Sequence, residues 1–342
     1  MSGTSLDGID LVCINLKYAD TWSFSIEASQ TIPYTTNWKT KLENLRNGTD
    51  YEIQKENKLY TIYLADKINN FIHNHNLKNL DAVCSHGHTL FHQPDKGLTF
   101  QLGNLKELAE IVRYTVVCDY RSQDVAKGGQ GAPLVPIGDK LLFSEYSSFL
   151  NLGGFANATQ NLDETTIAYD ICAVNVILNV LAKKKGLDYD NKGNLAKMGK
   201  IIIPFFNELE GLDYYKNNPP KSLGIEWVKL NIIPLLDKYK NHLLEDLIHT
   251  YTNHIAKQIG FLFKRKELVL VTGGGAHNEY LIKKIKKNSS AQIILPHKEI
   301  INFKEAIIFG FLGILKLRGE INCLSSVTGA YEDHSSGTVY LP

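Results

Sequence analysis

A chain of 342 residues is long enough to bury two sizeable cores, so two domains are expected. Hydrophobic residues at 44% and charged residues at 21% are the balance of a water-soluble globular protein, and a net charge of +1 removes the electrostatic case for a nucleic-acid partner. Cys13, Cys84, Cys118, Cys172 and Cys323 are scattered and form no CxxC, no basic segment followed by an apolar run opens the chain, and no apolar stretch reaches membrane-spanning length. A cytoplasmic protein with no membrane partner is the expectation.

The first ten residues, MSGTSLDGID, form a polar turn leading into a strand at residues 11–16. Glycines at such a tip let backbone N–H groups approach an anion, hydroxyls of Thr4 and Ser5 can donate to phosphate oxygens, and Asp7 can hold a divalent cation or its waters. An ordinary hairpin turn uses the same residue types. Residues 22–34 read as a strand, 37–74 as helix, 81–87 as a short buried strand, and 98–104 and 115–120 as further strands. The glycine- and proline-bearing stretch 121–136 reads as the inter-domain crossing.

Residues 147–162 repeat the opening plan of strand, glycine turn and strand. A short strand at 165–170 precedes a helix at 171–186, which Gly186 closes. A helix over 243–263 leads to a strand, a glycine turn and a helix at 267–287, and residues 302–319 read as a buried helix. Three glycine-bearing loops thus stand in order, at 3–8, 153–157 and 273–278. In a fold of two similar lobes, two of them can clamp the phosphate chain of a nucleotide while the third holds its nucleoside.

The segments MSGTSLDGID, VVCDYRSQDVAKGGQGAPLVP, LNLGGFANAT, PPKSLGIE, VTGGGAHN and SVTGA, with the pair Asp170 and Asn175, resemble the anhydro-N-acetylmuramic acid kinase family over essentially the whole chain. That resemblance implies an α/β fold of two ribonuclease-H-like lobes, an actin-like ATPase fold with a central ATP cleft. Lobes at residues 1–132 and 133–342 are expected, with the C-terminal end free to return to the first. It also implies ATP and Mg²⁺ as cofactors, an amino sugar as substrate, and a homodimer. The family reaction opens a 1,6-anhydro ring with water and phosphorylates O6, a step of peptidoglycan recycling. Gly3, Thr4, Ser5, Leu6, Asp7, Gly8, Ile9, Asp10, Gly153, Gly154, Asn157, Gly273, Gly274, Gly275 and Asn278 are the expected ATP and phosphate contacts, with Asp7 at the Mg²⁺. Asp170 maps onto the family's catalytic base, and a strand-end Asp at a helix N-terminus is held ionised by backbone donors there. The other reading of Asp170 is a plain N-cap. Arg121, Gln130, Asn175 and Glu305 are the expected substrate contacts.

This chain departs from the family pattern in places. The family's Asp-Thr-Gly-Pro-Gly-Asn reads Asp170-Ile-Cys-Ala-Val-Asn175, with Cys172 and Val174 in place of glycines, and Asn179 replaces an Asp. A non-catalytic ATP-binding relative, or a kinase for a different sugar, is the alternative that these changes raise. His88 stands where the family more usually has Gln, which suggests a hydrogen-bonding role. His73, His75, His86, His88 and His92 offer only one helical i,i+4 pair, His88 with His92, and no zinc site is assigned to them. Family members carry an apolar strand before MSGTS, and the strand at 11–16 needs a partner across its turn, so apolar residues upstream of Met1 are expected.

Overall fold

The computed structural model describes residues 1–342 except 3–5, 7, 163–164, 220 and 265. The chain divides into two compact units, Met1–Phe143 with Phe303–Pro342, and Ser144–Asn302.

In the first unit, β1 (Gly8–Tyr18) and β2 (Trp22–Pro33) form a long antiparallel ribbon. A Cβ on Gly8 would stand 2.3 Å from the Ile32 carbonyl oxygen, so the close approach that starts the ribbon requires glycine there. Met1 and Asp10 exchange two backbone hydrogen bonds of 2.8 Å across the opening turn. The helix expected over residues 37–74 is two helices, α1 (Thr36–Leu45) and α2 (Asp50–Asn74). Thr49 and Glu52 explain the break: the Thr49 side chain accepts from the Glu52 N–H, and the Glu52 carboxylate accepts from the Thr49 N–H.

β3 (Val83–Ser85) follows, then a hairpin of β4 (His88–Gln93) and β5 (Leu98–Leu102). His88 and His92 therefore lie on a strand, and the helical spacing considered for them does not apply. After α3 (Glu107–Val112), β6 (Val116–Cys118) pairs in parallel with β3.

The stretch expected to cross between domains belongs instead to this unit. It holds α4 (Ser122–Ala126) and leads to α5 (Pro136–Leu142). Its glycines are fixed from within the unit: the Gly131 N–H donates to Asp124 Oδ2 at 2.6 Å, and the Gln130 N–H donates to the Thr328 carbonyl at 2.7 Å. The boundary falls after Phe143 rather than after residue 132, because α5 is tied to the returning segment. Gly138 packs on Ile308, and Asp139 forms a buried ion pair with Lys304.

The second unit carries one sheet. β7 (Ser148–Leu152), β8 (Phe155–Leu162) and β9 (Thr165–Ala173) run antiparallel to their neighbours. Helices α6 (Asn175–Lys183), α7 (Asn194–Met198), α8 (Ile203–Glu210), α9 (Ile225–Lys238) and α10 (Leu244–Gly260) follow. Then β10 (Leu268–Thr272), α11 (Glu279–Asn288) and β11 (Gln292–Ile294) complete it. The strand order is β11-β10-β7-β8-β9, with β7, β10 and β11 parallel. An antiparallel triplet extended in parallel on the side of its first strand is the ribonuclease-H-like arrangement expected of a lobe.

One face of that sheet makes the core. Leu150, Leu152, Ala156, Ala158 and Cys172 meet Ile177 and Leu181 of α6 and Ile248, Tyr251 and Ile255 of α10. The α10 residues recur at helical spacing, which is why this segment folds as a helix against the sheet. Tyr251 is fully buried, and its hydroxyl donates to the Ala173 carbonyl at 3.0 Å, fixing the end of β9.

From Phe303 onward, the remainder of α12 (Lys298–Leu317), α13 (Ser325–Thr328) and β12 (Thr338–Tyr340) belong to the first unit, where β12 pairs antiparallel with β6. Glu305 therefore lies in the first unit. Among the described residues no helix is long and apolar enough to cross a membrane.

Candidate active site

Strand register places Asp170. Asn157 faces Asp170, but its neighbour Ala156 faces Cys172, so Ile171 is an extra residue, a β-bulge in β9. Without the bulge, residues 170 and 172 would share a face. With it, Cys172 enters the core and Asp170 turns to the opposite face, where it is only partly buried. The same register aligns Thr272, Asn151, Asn157 and Asp170 across β10, β7, β8 and β9. A polar row thus crosses the sheet on the face away from the Leu150–Leu152 core. Val174 also points into the core, so the side chains of both residues that replace family glycines are packed inside rather than presented beside Asp170.

Three groups hold Asp170. The Leu223 N–H donates to its Oδ2 at 2.9 Å, the Tyr214 hydroxyl donates to its carbonyl at 2.7 Å, and its own N–H donates to the Lys221 carbonyl at 3.1 Å. The segment 214–223 is therefore what fixes the bulge. Oδ1 accepts no hydrogen bond among the described residues. Burial raises the carboxyl above its ordinary value, and the Leu223 N–H opposes this only in part.

Both sequence-based accounts of Asp170 need correction. It precedes the end of β9 by three residues, and α6 begins only at Asn175, so Asp170 neither caps a helix nor meets helix N-terminal donors. The leading N–H groups of Val174 and Val176 donate to the Gly154 carbonyl at 2.8 and 3.2 Å. A partly desolvated carboxylate with a raised affinity for a proton and one free oxygen is suited to act as a general base.

Gly153 and Gly154 make the turn between β7 and β8. The Asn175 amide donates to the carbonyls of Leu152 (3.2 Å) and Gly153 (2.7 Å), so this expected substrate contact braces the turn. Gly273 has φ +83°, and a Cβ there would lie 2.4 Å from Asn151 Oδ1. A Cβ on Gly275 would lie 2.8 Å from Leu152 Cβ. The third glycine loop is thus packed directly on the end of β7 that leads into the second, and only glycine permits it. At Gly274 nothing stands within 4 Å of a Cβ position, leaving the backbone open to a ligand. Asn278 is set apart from this: it caps α11, its side chain accepting from the Leu281 N–H at 3.0 Å.

In the first unit, Gly3, Thr4, Ser5 and Asp7 lie outside the described residues, and with them the expected Mg²⁺ ligand. Of the rest of that loop, Leu6 has φ +58°, Gly8 and Ile9 are buried, and Asp10 Oδ1 accepts from the Thr31 hydroxyl at 2.6 Å. Ser2 anchors the loop. Its Oγ lies 2.6 Å from the Tyr34 hydroxyl and 3.0 Å from His88 Nδ1, and Tyr34 is 2.5 Å from the Tyr60 hydroxyl. His88 thus has the hydrogen-bonding role that its position suggested.

Arg121 is held by His86 and Gly131: its Nε–H donates to His86 Nε2 at 2.9 Å and its Nη1 to the Gly131 carbonyl at 2.6 Å. His86 Nε2 must then accept, which puts its proton on Nδ1, 3.1 Å from the Gly87 carbonyl. Burial and then the Arg121 charge keep this imidazole neutral, well below its ordinary pKa. Glu305 is exposed to solvent. Desolvation by the protein around it raises its carboxyl, with Arg121 and then Lys304 opposing. Gln130 is exposed. His73, His75, His86, His88 and His92 join no group of three metal-ligand side chains among the described residues.

Asn151, Thr272 and Tyr214 were missed in the sequence. Strand alternation, with Leu150 and Leu152 on one face and Asn151 on the other, could have found the first. The others depend on register and on a loop.

The anhydro-N-acetylmuramic acid kinase family model matches residues 1–342. An anhydro-N-acetylmuramic acid kinase of Francisella tularensis subsp. novicida is 34% identical, the match covering 96% of this chain and 94% of the relative. One from Sulfurimonas denitrificans is 32% identical over 99% and 98%, and one from Bacillus cereus is 29% identical over 100% and 98%. With the whole chain matched, and with a bulge presenting Asp170 on a polar sheet face that Asn151, Asn157 and Thr272 share, the chain belongs to the anhydro-N-acetylmuramic acid kinase family.

Proposed function

We propose that this kinase opens the 1,6-anhydro ring of anhydro-N-acetylmuramic acid with water and transfers the γ-phosphoryl group of ATP to O6, with Asp170 as the base. The water oxygen bonds to C1 as its proton passes to the Asp170 carboxylate, the bond from C1 to O6 breaks, and O6 bonds to the γ-phosphorus as ADP leaves. The observation that carries this reading is the placement of Asp170: turned out of the core by the Ile171 bulge, fixed through one oxygen by Leu223, and raised in proton affinity by burial.

The backbone of Gly153–Gly154 and of Gly273–Gly275, open at Gly274, is suited to lie along a nucleotide, and Asn151, Asn157 and Thr272 offer polar groups on the same sheet face as Asp170. Mg²⁺, which family membership and the chemistry of phosphoryl transfer support, supplies charge neutralisation on the phosphates, with Asp7 as its expected ligand. Arg121 and Glu305 remain the candidate sugar contacts of the first unit, and a cytoplasmic homodimer is the expected context.

The test is ADP release with the anhydro sugar and Mg²⁺. Asp170→Asn keeps the shape but removes the base, and should cost about 10²–10⁴ in rate. Near-normal turnover by that variant would reject Asp170 as the base.

A further inference from the structure

Asp124, which holds Gly131 through Oδ2, meets Cys323 and His334 inside the first unit. They are 0%, 1% and 6% exposed, and one ligand atom from each lies within 4.8 Å of the others. Cys323 and His334 face each other across a β-bridge, each donating its N–H to the other's carbonyl at 3.1 Å, so their side chains stand together. Asp124 Oδ1 lies 3.0 Å from Cys323 Sγ and 3.6 Å from His334 Nε2.

The hydrogen bonding of His334 fixes its tautomer. Nδ1 is 3.1 Å from the Glu332 carbonyl oxygen, which can only accept, so Nδ1 carries the proton. Nε2 on the other side of the ring is buried, has no hydrogen-bond partner, and lies 3.6 Å from the Asp124 carboxylate oxygen. Asp124 Oδ1 already accepts from Cys323 Sγ and from Thr328 Oγ1, so Nε2 is a buried acceptor left without a donor, a cost that a cation bound among the three side chains would remove.

The geometry points to a binding site for a divalent transition metal, Zn²⁺ by its donor set, formed by Asp124 Oδ1, Cys323 Sγ and His334 Nε2. The set mixes one oxygen, one sulfur and one imidazole nitrogen, which tetrahedral Zn²⁺ accepts. To hold such an ion the atoms need separations of roughly 3.3–3.8 Å, so the Asp124–Cys323 pair at 3.0 Å opens slightly and any pair near the 4.8 Å limit closes by about 1 Å. The Nδ1–H bond to a backbone carbonyl is the outer contact that orients a metal-bound imidazole. Thr328 Oγ1, 2.7 Å from the same Asp124 oxygen, or a water takes the fourth position.

Charge also balances. Binding displaces the Cys323 proton to solvent, and one thiolate, one carboxylate and one neutral imidazole offset the two positive charges of the ion. Without the ion, the cluster buries a single negative charge. Asp124 holds Gly131 through its other oxygen, so an occupied site would tie the C-terminal segment to the loop that carries Gln130.

The experiment uses full-length protein stripped with a chelator and titrated with Co²⁺. One equivalent should give a thiolate-to-cobalt absorption band with tetrahedral visible bands, and Zn²⁺ should abolish them. Cys323→Ser should remove the charge-transfer band. His334→Gln should weaken binding by more than the ~100-fold seen for outer contacts alone. The control Cys13→Ser should change nothing. Asp124 is left intact because it also organises the glycine loop. Zn²⁺ should raise the melting temperature of the wild type but not that of His334→Gln, an arm that stands if Cys323→Ser fails to fold. No thiolate band in the wild type, a band that survives Cys323→Ser, or equal Zn²⁺ stabilisation of wild type and His334→Gln would overturn the site.

Discussion

Acid should loosen the first unit through His88, and the size of the effect follows from its surroundings. His88 is 2% exposed, with Nδ1 against the buried Ser2 hydroxyl. Burial, and secondarily the charge of Arg46, depress its pKa from 6.5 to about 4. The unfolded chain therefore takes up this proton more readily than the folded one. The stability contributed by neutral His88 is complete above about pH 6.5 and is lost as pH falls toward 4. A gap of about 2.5 units corresponds to roughly 3 kcal/mol by pH 4, or about 6–12 °C in melting temperature for a unit of this size. The assay is thermal unfolding of wild type and His88→Gln across this range. Glutamine keeps a hydrogen-bonding amide near Ser2 but does not titrate, so the difference between the two proteins isolates His88 from the other acid-sensitive groups. A difference that stays constant with pH would refute the reasoning.

Other outcomes follow from the same contacts. Lys304→Met removes the cation 2.7 Å from Asp139, whose carboxyl burial already pushes up to about 6; the uncompensated charge should cost about 3–5 kcal/mol in urea unfolding at neutral pH, and less once Asp139 is protonated. Asp170→Asn should melt above the wild type at neutral pH. A carboxyl raised by folding contributes stability at low pH that is lost as pH rises past its unfolded value, so the gap should close toward about pH 4, and equal melting at neutral pH would deny the desolvation of Asp170. Tyr214→Phe deletes the donor to the Asp170 carbonyl and should lower kcat with little change in KM; unchanged kcat would mean the bulge holds without it.

What could be read from the sequence was local. The glycine turns after β7 and β10 follow runs such as FLNL and LVLVT whose ends carry Asn151 and Thr272, and α10 announces itself by apolar residues on one helical face. The capping-box spacing of Thr49 and Glu52 ahead of an apolar pattern also marks the break between α1 and α2, a signal that the expectation of one helix over 37–74 passed over. The end of β9 was not. Residues 171–174 are apolar throughout, which suits a buried helix start as well as a strand, and the bulge at Ile171 exists only through pairing with β8. The stretch 121–136 resembles a linker by its three glycines until Asp124 is seen to hold Gly129 and Gly131, and Thr328 to hold Gln130. Asp124 and Cys323 touch across 199 residues of sequence, beyond the reach of any spacing rule.

The most direct test of the central claim is to run the reaction in ¹⁸O-labelled water with the anhydro sugar, ATP and Mg²⁺, following ADP and the mass of the product from the earliest time points. If Asp170 directs water to C1 while O6 takes the phosphoryl group, one ¹⁸O enters the sugar for each ADP released and none enters the phosphate, and Asp170→Asn loses both signals together. Label in free phosphate with unchanged sugar, or wild-type ADP release and labelling by Asp170→Asn, would contradict the account.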